Sequence, residues 1–580
     1  MRKLRLRIGL FLLVFILCGN TWGFAEELFA VEDIRPGLRG IGKTVVSGNT
    51  IEKFNVEVLG LVPQSPPLNN LIMVKVSGEI MDESGGIAQG MSGSPIYIQD
   101  RLLGALGYTY AMTDHRIGLV TPAVDMFKIY EEFPSTIVEE EPILPEGFEP
   151  VRSPLIIQGL NKRNTSYLEK ALGLGAVQTM PALGSVEVVA APLKAGSMVG
   201  VQLLRGDFQV ASFGTVTHVR DDGKFIGFGH PFTHKGAVDY FASAAYVHYT
   251  LPSIDMPSKI VSLGSTIGNI KQDRIVGIGG ELGVESVYLP VSISVIDKDR
   301  NIKEDFYVET IRDESAIIPL TISSAYQGVD ATLDRLGAGT SFVRLEFIAD
   351  NLSQRIIREN LFYSDTDIAV WSLTDLLSGL ELLVNNSLQE VDLKHVKVDV
   401  EVELERKTAT IESARPNKQS VRPGENVDVE VTIRPYRGAS EVRTLRMEIP
   451  EDASAGLMNV AVRSGAEGYY LMKPPVDPSI LSQNDFDDEP IKSSPSGAET
   501  LDVLIAEYMD GERNNEIILE YYPLLENSNS EEELDDEEFD DNVEIPNYYR
   551  WDDNSANGQR VRLSTQFVLD GIVSFDLNIY

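Results

Sequence analysis

The sequence predicts a mainly β protein of several domains. Three observations lead there. A chain of 580 residues is too long for one core, since domains usually hold ~100–200 residues. Its 48 Gly and 29 Pro, set among many valine- and isoleucine-rich runs, favour strands and tight turns over helix bundles. Short apolar runs bounded by turn signals recur through residues 30–130 and 185–350, and give way to clean alternation from Val396.

The chain opens like an export signal. Arg2, Lys3, Arg5 and Arg7 precede the apolar run Ile8 to Leu17, and Gly23-Phe24-Ala25 offers small residues for cleavage after Ala25. Residues 1–25 are therefore read as a signal peptide and the product as exported, at the cell surface or in the periplasm. The apolar run is short for a membrane span of ~20 residues. Membrane contact is expected only through an uncleaved signal segment. Cys18, the one cysteine, lies inside this segment. Disulfides and cysteine catalysis are thus excluded from the mature chain.

Within residues 26–130, Lys43 to Val46, Phe54 to Leu61 and Leu71 to Val76 read as strands. Ser94 to Ile98 and Leu102 to Tyr108 read as a hairpin turning at Gln99-Asp100-Arg101. Residues 131–185 are a linker rich in Glu and Pro, with a short helix at Ser166 to Leu172 capped by Asn164 or Thr165. Strands return over 186–350, notably Gly200 to Leu204, Gly214 to Val219, Phe225 to Gly229 and Val287 to Val295. Residues 351–395 form a helical connector, with an amphipathic period over 366–386 and Asp365 or Thr366 as cap. Val398, Val400, Val402 and Leu404 open a β-sandwich over 396–480. Residues 481–580 comprise a loop, the acidic tract Glu531 to Asp541 and terminal strands.

A formal net charge of -37 repels nucleic acid and anionic headgroups, so neither is an expected partner. The turn Gly90-Met91-Ser92-Gly93-Ser94-Pro95 carries the chemistry that can be read from residues alone. A serine nucleophile needs a tight, exposed turn whose backbone N–H groups converge on one point. Glycines at -2 and +1 favour Ser92 over Ser94, with the N–H groups of Gly90 and Ser92 forming the oxyanion hole. The same residues also suit an ordinary Gly/Ser hairpin turn.

The stretch Glu83-Ser84-Gly85-Gly86-Ile87-Ala88-Gln89-Gly90-Met91-Ser92-Gly93-Ser94-Pro95-Ile96, with Leu103-Gly104-Ala105 and the upstream Glu52 to Val58, resembles the active-serine segment of the SpoIVB peptidase family. Gly214-Thr215-Val216-Thr217 and Phe225 to Pro231 are similar to that family's histidine region. The resemblance implies a trypsin-like double β-barrel formed by two chain segments; the C-terminal β-sandwich lies outside it. It implies a serine endopeptidase acting on a protein or peptide substrate, with Ser92 as nucleophile and His230 as general base. His218 and His234 are weaker candidates for the base. Pro231 and the β context argue against a metal at His230 and His234, so neither a metal nor a cofactor is expected.

Two departures from the family accompany the resemblance. Its histidine segment precedes its serine segment, whereas here Ser92 comes first. Its aspartate position is occupied by Ser77, leaving Asp82 and Asp239 as the nearby acids. A catalytically weak or inactive relative, serving as an envelope scaffold or binding protein, is the alternative.

Overall fold

The structure is a computed structural model that describes residues 28–65, 68–110, 113, 115–131, 144–151, 155–172, 191–352, 354–466, 500–522 and 560–580. The expected signal segment with Cys18, much of the Glu-Pro linker, the loop over 481–499 and the acidic tract lie outside the described residues. The chain divides into two compact units, one drawn from residues 1–158, 176–203 and 209–287, the other from 159–175, 204–208 and 288–580.

The first unit is built from two closed barrels. In the first, β1 (Arg39–Val45), β2 (Ile51–Val62), β3 (Leu71–Ser77), β4 (Pro95–Ile98), β5 (Arg101–Tyr110) and β6 (Ile117–Pro122) pair in the order β4-β1-β2-β3-β6-β5, and β5 returns to β4. The period-two pattern fixes the inward face: Phe54, Val56 and Val58 of β2 and Ile72, Val74 and Val76 of β3 fill the core. Gln99 and Asp100 take positive φ values of 53° and 59° in the two-residue turn joining β4 to β5, a geometry that suits the twist of a hairpin.

The second barrel holds β7 (Met198–Gly206), β8 (Gln209–Val219), β9 (Lys224–Gly227), β10 (Gly236–Leu251), β11 (Ser258–Arg274) and β12 (Gly277–Leu282). Its order is β7-β10-β11-β12-β9-β8, and β8 pairs back to β7. The expected double barrel is therefore present, each barrel closing its own edges. The barrels meet where the loop between β3 and β4 lies against β8.

In the second unit, Ile356–Ser364, Gly339–Ala349, Leu393–Glu403, Tyr288–Asp297 and Ile302–Ile311 pair side by side in that order. The helix Glu314–Leu333 packs on this sheet. The alternating stretch at Val398 to Val402 belongs here, pairing parallel to Tyr288–Asp297, rather than to the sandwich. The sandwich sets a four-stranded sheet of Thr408–Pro416, Asn426–Pro435, Glu441–Glu448 and Val568–Asp570 against a five-stranded one that includes Gly456–Ser464, Glu516–Tyr522 and Ile572–Ile579. Val427, Val429, Val431 and Ile433 meet Val460, Val462, Ile517 and Leu519 in its core.

Two helix expectations need correction. The linker helix spans Lys162–Ala171, and its cap is Asn161, whose side chain accepts the Asn164 N–H at 3.0 Å. Asn164 is instead buried and donates to Gln327 Oε1 at 3.1 Å. The amphipathic stretch after residue 366 is split into Ile368–Trp371 and Thr374–Val384, with Asp367 as the first cap. Ser372 Oγ donates to Ile368 O at 2.7 Å at the break, and such back-bonding bends helices.

Arg463 and Glu520 form a buried ion pair at 2.7 Å beside the sandwich core. Arg463 also pairs with Glu512 at 2.6 Å, so loss of the Glu520 charge leaves it one carboxylate partner. Glu520→Gln is expected to cost about 2 kcal/mol of unfolding free energy, the scale of a hydrogen bond to a charged group, read from the shift in the urea midpoint.

Candidate active site

The serine turn is made by backbone rather than by side chains. Gly90 and Gly93 take φ values of +87° and +89°, which L side chains rarely adopt. A Cβ on Gly93 would lie 1.9 Å from Thr215 O and 2.4 Å from Phe228 N, so only glycine lets the turn reach the second barrel. Thr215 N donates to Ser92 O at 2.7 Å and Thr217 Oγ1 to Gly93 O at 2.8 Å. On the other side Gly93 N donates to Leu106 O at 2.7 Å. The Ser94 hydroxyl donates to Met91 O at 2.6 Å and so braces the turn from within.

Ser92 is wholly buried, not exposed as a nucleophile turn suggests. Its hydroxyl faces Gly214, where an added Cβ would lie 3.1 Å from Oγ. Among the described residues, no acceptor pairs with the Gly90 N–H. Buried amides without partners are rare, and an orphan donor two residues before a serine has the position of an oxyanion donor.

His230 follows β9 in the second barrel and is also buried. Its Nδ1 lies 2.7 Å from the Pro231 carbonyl and its Nε2 lies 3.3 Å from the Val151 carbonyl. Backbone contacts bring the two segments together: the serine turn meets Phe228, and Thr121 Oγ1 donates to Gly229 O at 2.6 Å, next to the histidine.

The two nearby acids are occupied elsewhere. Asp82 pairs with Arg116 at 2.8 Å and Asp239 with Lys271 at 2.9 Å. His218 Nδ1 is 3.0 Å from the Tyr130 hydroxyl, beside the Phe127 ring. His234 donates its backbone N–H to Asp273 at 2.9 Å.

Two residues that sequence reasoning did not single out organise the site. Asp273 is fully buried and gathers the loop after His230. Its carboxylate accepts from Phe232 N at 2.7 Å, Thr233 N at 2.5 Å, Thr233 Oγ1 at 2.7 Å and His234 N at 2.9 Å. It positions the loop and does not touch the imidazole. Lys259, at the start of β11, is the other. Its Nζ is buried and reaches Thr44 Oγ1 at 2.9 Å, Gly90 O at 3.0 Å and Met198 Sδ at 3.3 Å. Among the described residues, no carboxylate pairs with it. No spacing marks either residue. A lysine in a strand usually signals a solvent face, and Asp273 acts through a loop forty residues away.

Two six-stranded barrels meeting at a Gly-Met-Ser-Gly turn define a mainly β, double-barrel fold. Within it, residues 27–121 match the family model of the SpoIVB peptidase S55, which bears out the resemblance over the barrel that carries Ser92. No curated protein and no solved structure matches the chain.

Burial pushes the Lys259 amine well below its ordinary value of 10.5, because the charged form loses hydration that no anion replaces. Folding weakens proton binding at this amine, so the lysine lowers stability at pH values below 10.5. That cost fades as pH rises from the depressed value towards 10.5. Lys259→Met is therefore expected to raise stability by about 1 kcal/mol or more at pH 7. The gain should shrink steadily towards pH 10.5, as read by denaturant unfolding at a series of pH values.

Proposed function

We propose that the protein is an exported serine endopeptidase of the SpoIVB type, cutting itself or a partner protein. Ser92 is the nucleophile on this reading, the N–H groups of Gly90 and Ser92 hold the oxyanion, and His230 is the general base. The observation that carries it is the orphan Gly90 N–H beside Ser92, in a turn of the matched family segment. His230 takes the Ser92 hydroxyl proton as Oγ bonds to the scissile carbonyl carbon, and returns it to the leaving amine. Water then hydrolyses the acyl-enzyme. With Nδ1 donating to the Pro231 carbonyl, Nε2 is the nitrogen that acts as base, and catalytic hydrogen bonds commonly tighten only when substrate is bound.

The second reading is a non-catalytic scaffold or binding protein of the cell envelope. The burial of Ser92 and the engagement of both ring nitrogens of His230 with carbonyls favour it.

A fluorophosphonate probe separates the two. The peptidase reading expects covalent labelling at Ser92, abolished in Ser92→Ala and slowed about 10³-fold or more in His230→Gln. A folded wild-type protein that resists labelling supports the scaffold. Export rests on the basic, apolar and small-residue start of the chain. It predicts a mature protein beginning at Glu26, checked by N-terminal sequencing of the extracytoplasmic fraction; a start at Met1 in that fraction overturns the cleavage.

A further inference from the structure

We infer that Lys259 is the positioning residue of the oxyanion site: it fixes both peptide planes that flank Gly90 and so keeps the Gly90 N–H aimed out of the loop. The inference rests on the peptidase reading for its catalytic meaning, and on geometry alone for its structural content.

Each plane is held by a different part of the same residue. The Lys259 backbone N–H donates to Gln89 O at 3.2 Å, and the Gln89 N–H donates to Pro257 O at 2.8 Å. This short parallel bridge sets the edge of β11 against the loop. In a trans peptide the carbonyl and the following N–H point in opposite directions. Pinning Gln89 O therefore aims the Gly90 N–H the other way. The second plane is held by the side chain, with Nζ donating to Gly90 O at 3.0 Å. Thr215 Oγ1 donates to the same oxygen at 2.9 Å.

Gly90 is where such a clamp is needed. With no Cβ and a φ of +87°, its flanking peptides rotate at low cost, and a rotated peptide would put a carbonyl where a donor is required. An added Cβ would strike Phe213 at 2.5 Å, so the loop cannot be stiffened by a side chain of its own. The lysine stem fills that role from below, its Cδ lying 3.2 Å from the same Cβ position. A buried amine with no carboxylate partner is an unusual choice for packing alone. An apolar side chain would fill the space beside Met198 without desolvating an amine.

The test compares full-length wild type with Lys259→Met and, as a second variant, Lys259→Ala. Fluorophosphonate labelling of Ser92 is resolved into maximal rate and half-saturating concentration. The latch expects Lys259→Met to lose about tenfold or more in maximal rate, since removing an oxyanion donor outright costs ~10²–10³. The half-saturating concentration should stay within about twofold, because reagent binding is not the step affected. Propylamine, but not propanol, should restore the rate of Lys259→Ala. Hydrogen exchange of the Gln89 and Met91 amides should quicken in both variants. An unchanged maximal rate, or equal rescue by propanol, overturns the proposal. If wild type is not labelled at all, the peptidase reading fails by itself. The exchange rates then decide: faster exchange in the variants upholds the clamp, and unchanged exchange removes it.

Discussion

The architecture depends on one close approach, that of Gly93 to the backbone of β8. Two carbonyls of the serine turn, those of Ser92 and Gly93, are taken by Thr215 N and Thr217 Oγ1 of the opposite barrel. Bonds inside the turn, such as Ser94 N to Met91 O at 3.0 Å, are thus completed by contacts from the opposite barrel. Main-chain bonds of this kind tolerate little displacement, because each unmade one would leave a buried polar group unsatisfied. The two barrels therefore behave as one frame around Ser92.

Within that frame the polar side chains divide the work. Thr215, Thr217 and Lys259 serve the serine turn; Asp273 serves the loop that carries His230. Asp273 is well matched to its task, since a carboxylate that accepts four donors is amply solvated by protein. Lys259 is not so matched, having among the described residues a hydroxyl, a carbonyl and a thioether as its polar partners. Groups that sit uneasily in a fold tend to mark places where stability has been given up for another purpose.

Much of the fold was legible in the sequence. Apolar runs placed β2 and β3, and Gln99-Asp100-Arg101 placed the hairpin, with Arg101 already in the second strand. What stayed hidden depends on contacts between distant residues. No periodicity announces that Val151 O faces His230, that Asp273 gathers residues 232–234, or that Lys259 lies inward. Asn161 displaced Asn164 as a cap for the same reason: Gln327 claims Asn164 from far along the chain. The strand at Val398 shows the limit most plainly. Its alternation was correctly β, yet alternation names a face and not a partner, and the partner lies in another sheet.

Each barrel is woven from one unbroken stretch of chain, the first ending at Pro122 and the second beginning at Met198. Chains emerge from the ribosome in sequence order. The barrel bearing Ser92 can therefore close while its counterpart is still being delivered. During that interval the carbonyls awaiting Thr215 and Lys259 have only water for company. A nascent molecule of this protein passes through a half-built stage in which its serine turn is assembled in sequence but not yet in shape.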